Sequence, residues 1–158
     1  MLDINVTIEG QKVIIDGLGK LTGELQVAAN RGLERSVTGI YRLAYEFLSG
    51  EGAKASNIPS GGYPVPVRTG DLRRHLDWLK PGESKTGPAG TFAAGQNEVV
   101  IYDSEEYANV VHGGYGSSAK FGPRRFLTDA LEKFNVGDRI RKNIEEEVAE
   151  EIGKAGLK

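Results

Sequence analysis

Apolar and polar residues alternate through the first sixteen positions: Ile4, Val6 and Ile8 face one way, Gly10-Gln11 offers a turn, and Val13 and Ile15 resume the alternation. That period predicts a hairpin or a pair of strands with one buried face. From Leu21 to Leu48 the period becomes helical, with Leu21, Leu25, Ala28, Ala29, Leu33, Val37, Ile40, Ala44, Phe47 and Leu48 recurring at three and four. At 1.5 Å per residue this predicts a helix of roughly 40 Å. Gly23, Gly32 and Gly39 lie inside it, each costing roughly 1 kcal/mol against alanine, so bending or the close approach of another backbone is expected at some of them. Ser49 to Pro66, Lys80 to Asn97 and Gly113 to Gly122 read as loops rich in Gly, Ser, Ala and Pro. Between them Val99 to Tyr102 reads as a buried strand with a partner around Asp77 to Lys80, and Tyr107 to His112 as a strand or a short helix. Helical spacing returns through Ile140, Ile144, Val148 and Ile152, with a kink at Val136-Gly137 and a stop at Gly153. The order predicts one α+β domain over 1–152, a small antiparallel sheet covered on one face by an N-terminal and a C-terminal helix, then a flexible tail over 153–158.

Two loop-to-helix junctions stand out. Pro64 and Pro66 fix their own φ and push Tyr63 and Val65 toward extended backbone before Val67 to Arg73, VRTGDLR. There Thr69 is placed to cap a short helix over roughly Gly70 to Leu76, with Asp71 in the first turn facing the positive end of the dipole. In the second junction, Gly122 to Leu131, Gly122 permits a sharp turn and Pro123 suits the first helical position; Phe126, Leu127, Ala130, Leu131 and Phe134 then share a face. Arg124 and Arg125 sit near that helix start, where cations are unfavourable unless an acidic group meets them. The mismatch points toward a partner surface.

Composition narrows the classes. The 158 residues, 39% hydrophobic and 27% charged, suffice for one core. A net charge of −2 lacks the positive balance of a protein that lives on phosphate backbones. The absence of cysteine removes disulfides, thiolate nucleophiles and cysteine zinc sites, and fits a reducing compartment. Met1-Leu2-Asp3 shows no basic segment of a secretory signal, and no apolar run reaches the ~20 residues of a membrane span, so neither secretion nor membrane insertion is expected.

Taken together, Ile15 to Leu21 before a long helix, the Pro-rich approach to Arg68-Thr69-Gly70-Asp71-Leu72-Arg73, the Tyr107-Ala108 pair after a strand, and Pro123-Arg124-Arg125-Phe126-Leu127 with Ala130-Leu131 resemble the small tail-component proteins of long-tailed bacteriophages and prophages. These are the neck, head-tail joining or tail-completion proteins, and the similarity covers roughly residues 4 to 135. One position departs: where such proteins often carry an acidic residue before a glycine, this chain reads Val111-His112-Gly113. The resemblance implies a non-enzymatic virion subunit without cofactor, metal or small-molecule substrate. It implies a homo-oligomeric ring beside other neck, connector or tail proteins, with assembly in the host cytoplasm and a final place in the virion.

Other chemistry can be weighed on the residues themselves. His75 and His112 are the only histidines. His112 near Asp103, Glu105 and Glu106 in sequence admits a small metal- or His-dependent hydrolase or nuclease using Asp103 or Glu106, against a surface or hydrogen-bonded histidine. Gly113 to Lys120 is rich enough in glycine for an anion nest but lacks the Walker order, and Gly17-Leu18-Gly19 lacks the third glycine of a dinucleotide fingerprint. Arg68, Arg73, Arg74, Arg124 and Arg125 admit three readings: solvated or salt-bridged side chains, pairing across subunits with Glu145, Glu146, Glu147, Glu150 and Glu151, or contact with DNA in a ring lumen, which the acidic C-terminal helix opposes. A nucleic-acid-binding module is a weaker form of the last. Trp78, Phe92, Tyr102, Phe121 and Phe126 are expected in the core or in strands. Tyr63 and Tyr115 lie in polar loops and are, with Arg68, Thr69, Asp71, Arg73, Arg74, Arg124 and Arg125, the expected interface residues.

Overall fold

A computed structural model of the chain describes residues 4–16, 22–50, 62–65, 70–113 and 124–156. The N-terminal alternation forms β1 (Asn5–Glu9) and β2 (Lys12–Asp16), paired antiparallel around the Gly10-Gln11 turn. Only the inner strand is deeply buried: Val13 and Ile15 are inaccessible, whereas Ile8 is 43% exposed. The long periodic segment forms α1 (Gly23–Phe47), within one or two residues of its expected ends. Next come α2 (Asp71–His75), β3 (Leu76–Leu79), β4 (Ser84–Gly87), β5 (Gly90–Ala93), β6 (Glu98–Asp103), α3 (Ala108–Gly113), α4 (Phe126–Phe134) and α5 (Arg139–Lys154).

The main sheet is antiparallel in the order β1-β2-β6-β3, and the expected pairing of the Val99 strand with the segment near Asp77 is the β3–β6 ladder. One face carries the main core, where Val13, Ile15, Val99 and Ile101 meet Leu33, Val37 and Ile40 of α1 and Phe126, Leu127, Ala130 and Leu131 of α4. Helix α5 lies on α1, with Ile140 and Ile144 buried. Gly32 is where the two helices touch: a Cβ there would stand 2.6 Å from the Cα of Ile144. The close approach expected of an α1 glycine therefore falls on a backbone.

The sheet's other face is not left to solvent. Lys80 to Asn97, expected as a loop, contains the β4–β5 hairpin, which lays Phe92 on Tyr102 with ring centroids 4.2 Å apart. Leu79, Phe92, Ala94, Val100 and Tyr102 form a second small core there. Neither SKTG nor GTFA alternates recognisably, so the strand state comes from packing rather than local preference. The expected kink at Val136-Gly137 is a full break: Gly137 and Asp138 both have positive φ, and the Asn135 side chain accepts the N–H of Ile140 at 3.1 Å to start a new helix. At the other end α5 runs one residue past Gly153. Among the described residues no helix is long and apolar enough to cross a membrane.

Candidate functional site

The two junctions are built differently from their sequence reading. At the start of α2 the cap position belongs to Gly70, in the left-handed region at φ 79, rather than to Thr69. Arg68 and Thr69 lie outside the described residues. Asp71 stands in the first turn as expected and forms an ion pair with Arg74, while the Arg73 guanidinium lies over the ring of Tyr45 at 5.6 Å. Helix α4 begins at Phe126, three residues after Pro123, with Arg125 at its cap. The delay has a cause in the backbone: the Arg124 N–H donates to the carbonyl of Val111 at 3.0 Å, which ties this stretch to α3 before the helix can start.

Arg124 is then buried, its Nε donating to the carbonyl of Gly62 at 3.2 Å. Arg125 is exposed and reaches Asp129 at 3.5 Å and Glu132 at 3.7 Å on its own helix, so the acidic groups that its position called for come from α4 itself. Tyr63, expected to be too polar in context for burial, is half-buried. Its ring stacks on Phe47 at 4.2 Å, its hydroxyl donates to Asp129 at 2.5 Å, and burial together with that carboxylate holds the phenol proton well above its ordinary range. Tyr63 thus pins the 62–65 segment to α1 and α4. Tyr63→Phe is expected to lower stability by about 2 kcal/mol, the scale of a hydrogen bond to a charged acceptor, measurable by urea denaturation. Tyr115, Phe121, Gly17-Leu18-Gly19 and most of the proposed anion nest fall outside the described residues.

The acidic stripe of α5 is met within the chain. Arg31 contacts Glu147 at 3.1 Å and Glu151 at 2.9 Å, Arg35 contacts Glu146 at 2.9 Å, and Lys154 contacts Glu150 at 2.7 Å. Sequence reading overlooked α1 as the source of cations because its apolar stripe dominates the pattern; Arg31 and Arg35, four apart on one helix, were the available signal. Such exposed pairs contribute little to stability singly, because water and salt screen them, but they mean that these glutamates do not require a neighbour.

The densest polar chemistry collects at one end of the sheet. Asp103, the last residue of β6, is fully buried; its Oδ1 accepts the N–H of Glu105 at 3.0 Å and its Oδ2 has no hydrogen-bond partner among the described residues. Burial, opposed by that hydrogen bond and reinforced by the Glu105 charge, pushes the carboxyl up to about 7. Ser104 is clamped on both sides, its N–H donating to the carbonyl of His75 at 3.1 Å and its carbonyl accepting from Ala89 of the β4–β5 turn at 2.8 Å. His75 Nδ1 lies 2.8 Å from Glu105 Oε2. Asp103 was legible as a charge ending an apolar run, but nothing in the sequence showed that it would be swallowed whole.

His112 does not share that cluster. It is buried on α3 with Nε2 3.2 Å from Thr128 Oγ1 and its ring edge-on to Phe126, and burial lowers its pKa so that the ring is held neutral. Glu106 is exposed in the turn before α3. The sequence pairing of His112 with Asp103 or Glu106 is therefore not a contact the structure records, and among the described residues no three His, Asp or Glu side chains are grouped to hold a metal. The concavities lie elsewhere. A shallow groove of about 480 Å³ runs between α1 and β3, lined by Glu34, Arg35, Thr38, Gly39, Arg42, Trp78 and Lys80, and one of about 120 Å³ lies beside β1.

These features define a small α+β protein in which an antiparallel sheet is held between a helical layer and a hairpin, with its singled-out polar side chains largely engaged in folding contacts. Compared with protein-family models, with curated proteins and with solved structures, the chain matches none.

Proposed function

We propose that this chain is a structural bacteriophage or prophage protein, a tail-completion or neck subunit at the head-to-tail junction that assembles into a ring with copies of itself and stacks on other neck, connector or tail proteins. The observation that carries the reading is the division of labour among its side chains. Described residues with chemical potential, His112, Arg124, Tyr63 and Glu146, Glu147, Glu150 and Glu151 of α5, are engaged within the chain, while Val27 at 57% and Val136 at 76% exposure are left on the surface with Tyr45 and Tyr107. These side chains are spread over both ends of α1, the turn before α3 and the α4–α5 connection, so several faces of the molecule offer an apolar group to a protein partner. The ordered motifs of the resemblance add to it: Asp71 and Arg73 at the start of α2, Tyr107 in the turn before α3, 40% exposed, and exposed Arg125 at the cap of α4 each stand at a loop-to-helix junction. Asp71, Arg73, Arg74 and Arg125 remain the proposed interface residues.

The test is the absolute mass in solution by light scattering over a wide range of concentration and salt, followed by electron microscopy of the largest species. A closed ring of several copies is expected; a chain that stays single up to millimolar concentration overturns the ring.

A further inference from the structure

The two edges of the main sheet are not equivalent. On β3, Ser104 N–H donates to the carbonyl of His75, so the odd residues 75, 77 and 79 face β6 and the backbone of Leu76, Trp78 and Lys80 faces outward. Each of those outward donors is already taken: Leu76 N–H by the carbonyl of Leu72, Trp78 N–H by its neighbour Asp77 at 2.9 Å, and Lys80 N–H by Glu83 at 2.9 Å. This edge is closed to strand addition. On the opposite side, Asp103 N–H donates to the carbonyl of Gln11, which turns residues 12, 14 and 16 of β2 toward β1 and residues 5, 7 and 9 of β1 toward β2. The backbone of Ile4, Val6 and Ile8 therefore points out of the sheet, and no described residue pairs with it.

We infer that the β1 edge is a self-association surface whose occupant is β1 of a second copy, paired antiparallel about a two-fold axis. With the β3 edge closed, β1 against β1 is, among the described residues, the pairing by which one main sheet continues into another. The strand is also self-complementary. Centred on Thr7, the pairing sets Thr7 against its own copy, Val6 against Ile8 and Asn5 against Glu9, so no like charges oppose and about four backbone hydrogen bonds form between Val6 and Ile8 of the two chains. Ile8, 43% exposed, gains apolar cover on the helical face. The groove of about 120 Å³ beside β1, lined by Ile4, Val6, Asn135, Asp138, Ile140 and Arg141, leaves the strand's approach open along that face. This contact joins copies in pairs and is separate from any contact that closes a ring.

Two variants test it. Ile8→Lys places a cation on an exposed edge position, and Ile8→Pro removes an outward N–H while leaving the β1–β2 ladder, which uses residues 5, 7 and 9, intact. Light scattering is expected to show the native chain moving from 17.1 kDa to twice that mass, or to an even multiple of it, as concentration rises. Both variants are expected to lose the pairing step. Amide exchange by NMR gives the second readout: Val6 and Ile8 amides become protected only in the associated native chain, while Thr7, bonded to β2, stays protected in every sample. A large ring that both variants leave unchanged, with Val6 and Ile8 amides exchanging freely, overturns the pairing and leaves the ring reading standing. A dimer abolished by Ile8→Lys with nothing larger supports the pairing and overturns the ring. A single chain at every concentration overturns the pairing.

Discussion

Gly32→Ala is expected to lower the unfolding free energy by about 3 kcal/mol, at the upper end of what overpacking costs, although alanine is the better helix former. The added methyl would stand 2.6 Å from Ile144 Cα and 2.8 Å from both Asn143 O and Ile144 N, and all three are backbone atoms that no rotamer change can move. The helices must part, and more than a methyl's contacts are lost when they do. The Gly32 carbonyl accepts the Ser36 hydroxyl at 2.8 Å, and Ser36 Oγ accepts from Asn143 Nδ2 at 3.0 Å, a buried polar chain across the same seam. Opening it leaves those groups without partners in an apolar site. The natural control is Gly23→Ala at the start of α1, where nothing lies within 4 Å of the new Cβ, and stability is expected to hold or rise slightly. Denaturant midpoints of the two variants measured side by side decide the matter; equal midpoints would mean that the helices do not approach as closely as described.

Asp103→Asn is expected to stabilise the protein at pH 8 and to leave it nearly unchanged at pH 4. In the folded chain the carboxyl keeps its proton up to about pH 7, whereas in the unfolded chain it gives it up near its ordinary 3.8. Between those values the folded state binds the extra proton, so the stability of the native chain falls as pH rises from 4 to 7 and is flat on either side. At about 1.4 kcal/mol per pH unit the full span is on the order of 4 kcal/mol. Asparagine has no proton to lose, and its side-chain oxygen can still accept the Glu105 N–H. His112 works in the opposite sense: its lowered pKa makes protonation favour the unfolded chain, so its contribution is lost as pH falls below its ordinary 6.5. The shape of the native curve is thus a difference of two effects, and subtracting it from that of the variant isolates Asp103. Urea titrations at intervals from pH 4 to pH 8 supply both curves, and parallel curves would rule out a proton held at Asp103.

The contrast between α1 and the β4–β5 hairpin shows which parts of the fold could be read in advance. Helix α1 repeats its apolar positions through several turns, and each repeat independently favours the same face, so its extent is legible to within one or two residues. The hairpin has no such redundancy. Its strands are held by Phe92 resting on Tyr102, a contact that exists only after β6 has taken its place in the main sheet. The site residues divide the same way. Asp71 in the first turn of α2 was legible because a helix dipole acts locally. Tyr63 and Arg124 were not, because Asp129 and Gly62, which engage them, are remote in sequence.

By itself the sequence determined that this is an α+β chain with a two-stranded start, a long amphipathic first helix and the helical face of α4, because periodicity records which side of an element must leave water. Tertiary structure alone decided which charges meet. It matched Glu146, Glu147 and Glu151 of α5 to Arg31 and Arg35, buried Asp103 beneath the sheet end and laid Phe92 of the β4–β5 hairpin on Tyr102. Those outcomes depend on distances between segments far apart along the chain, and the electrostatic and hydrogen-bond energies that fix them are short-ranged in space rather than in sequence.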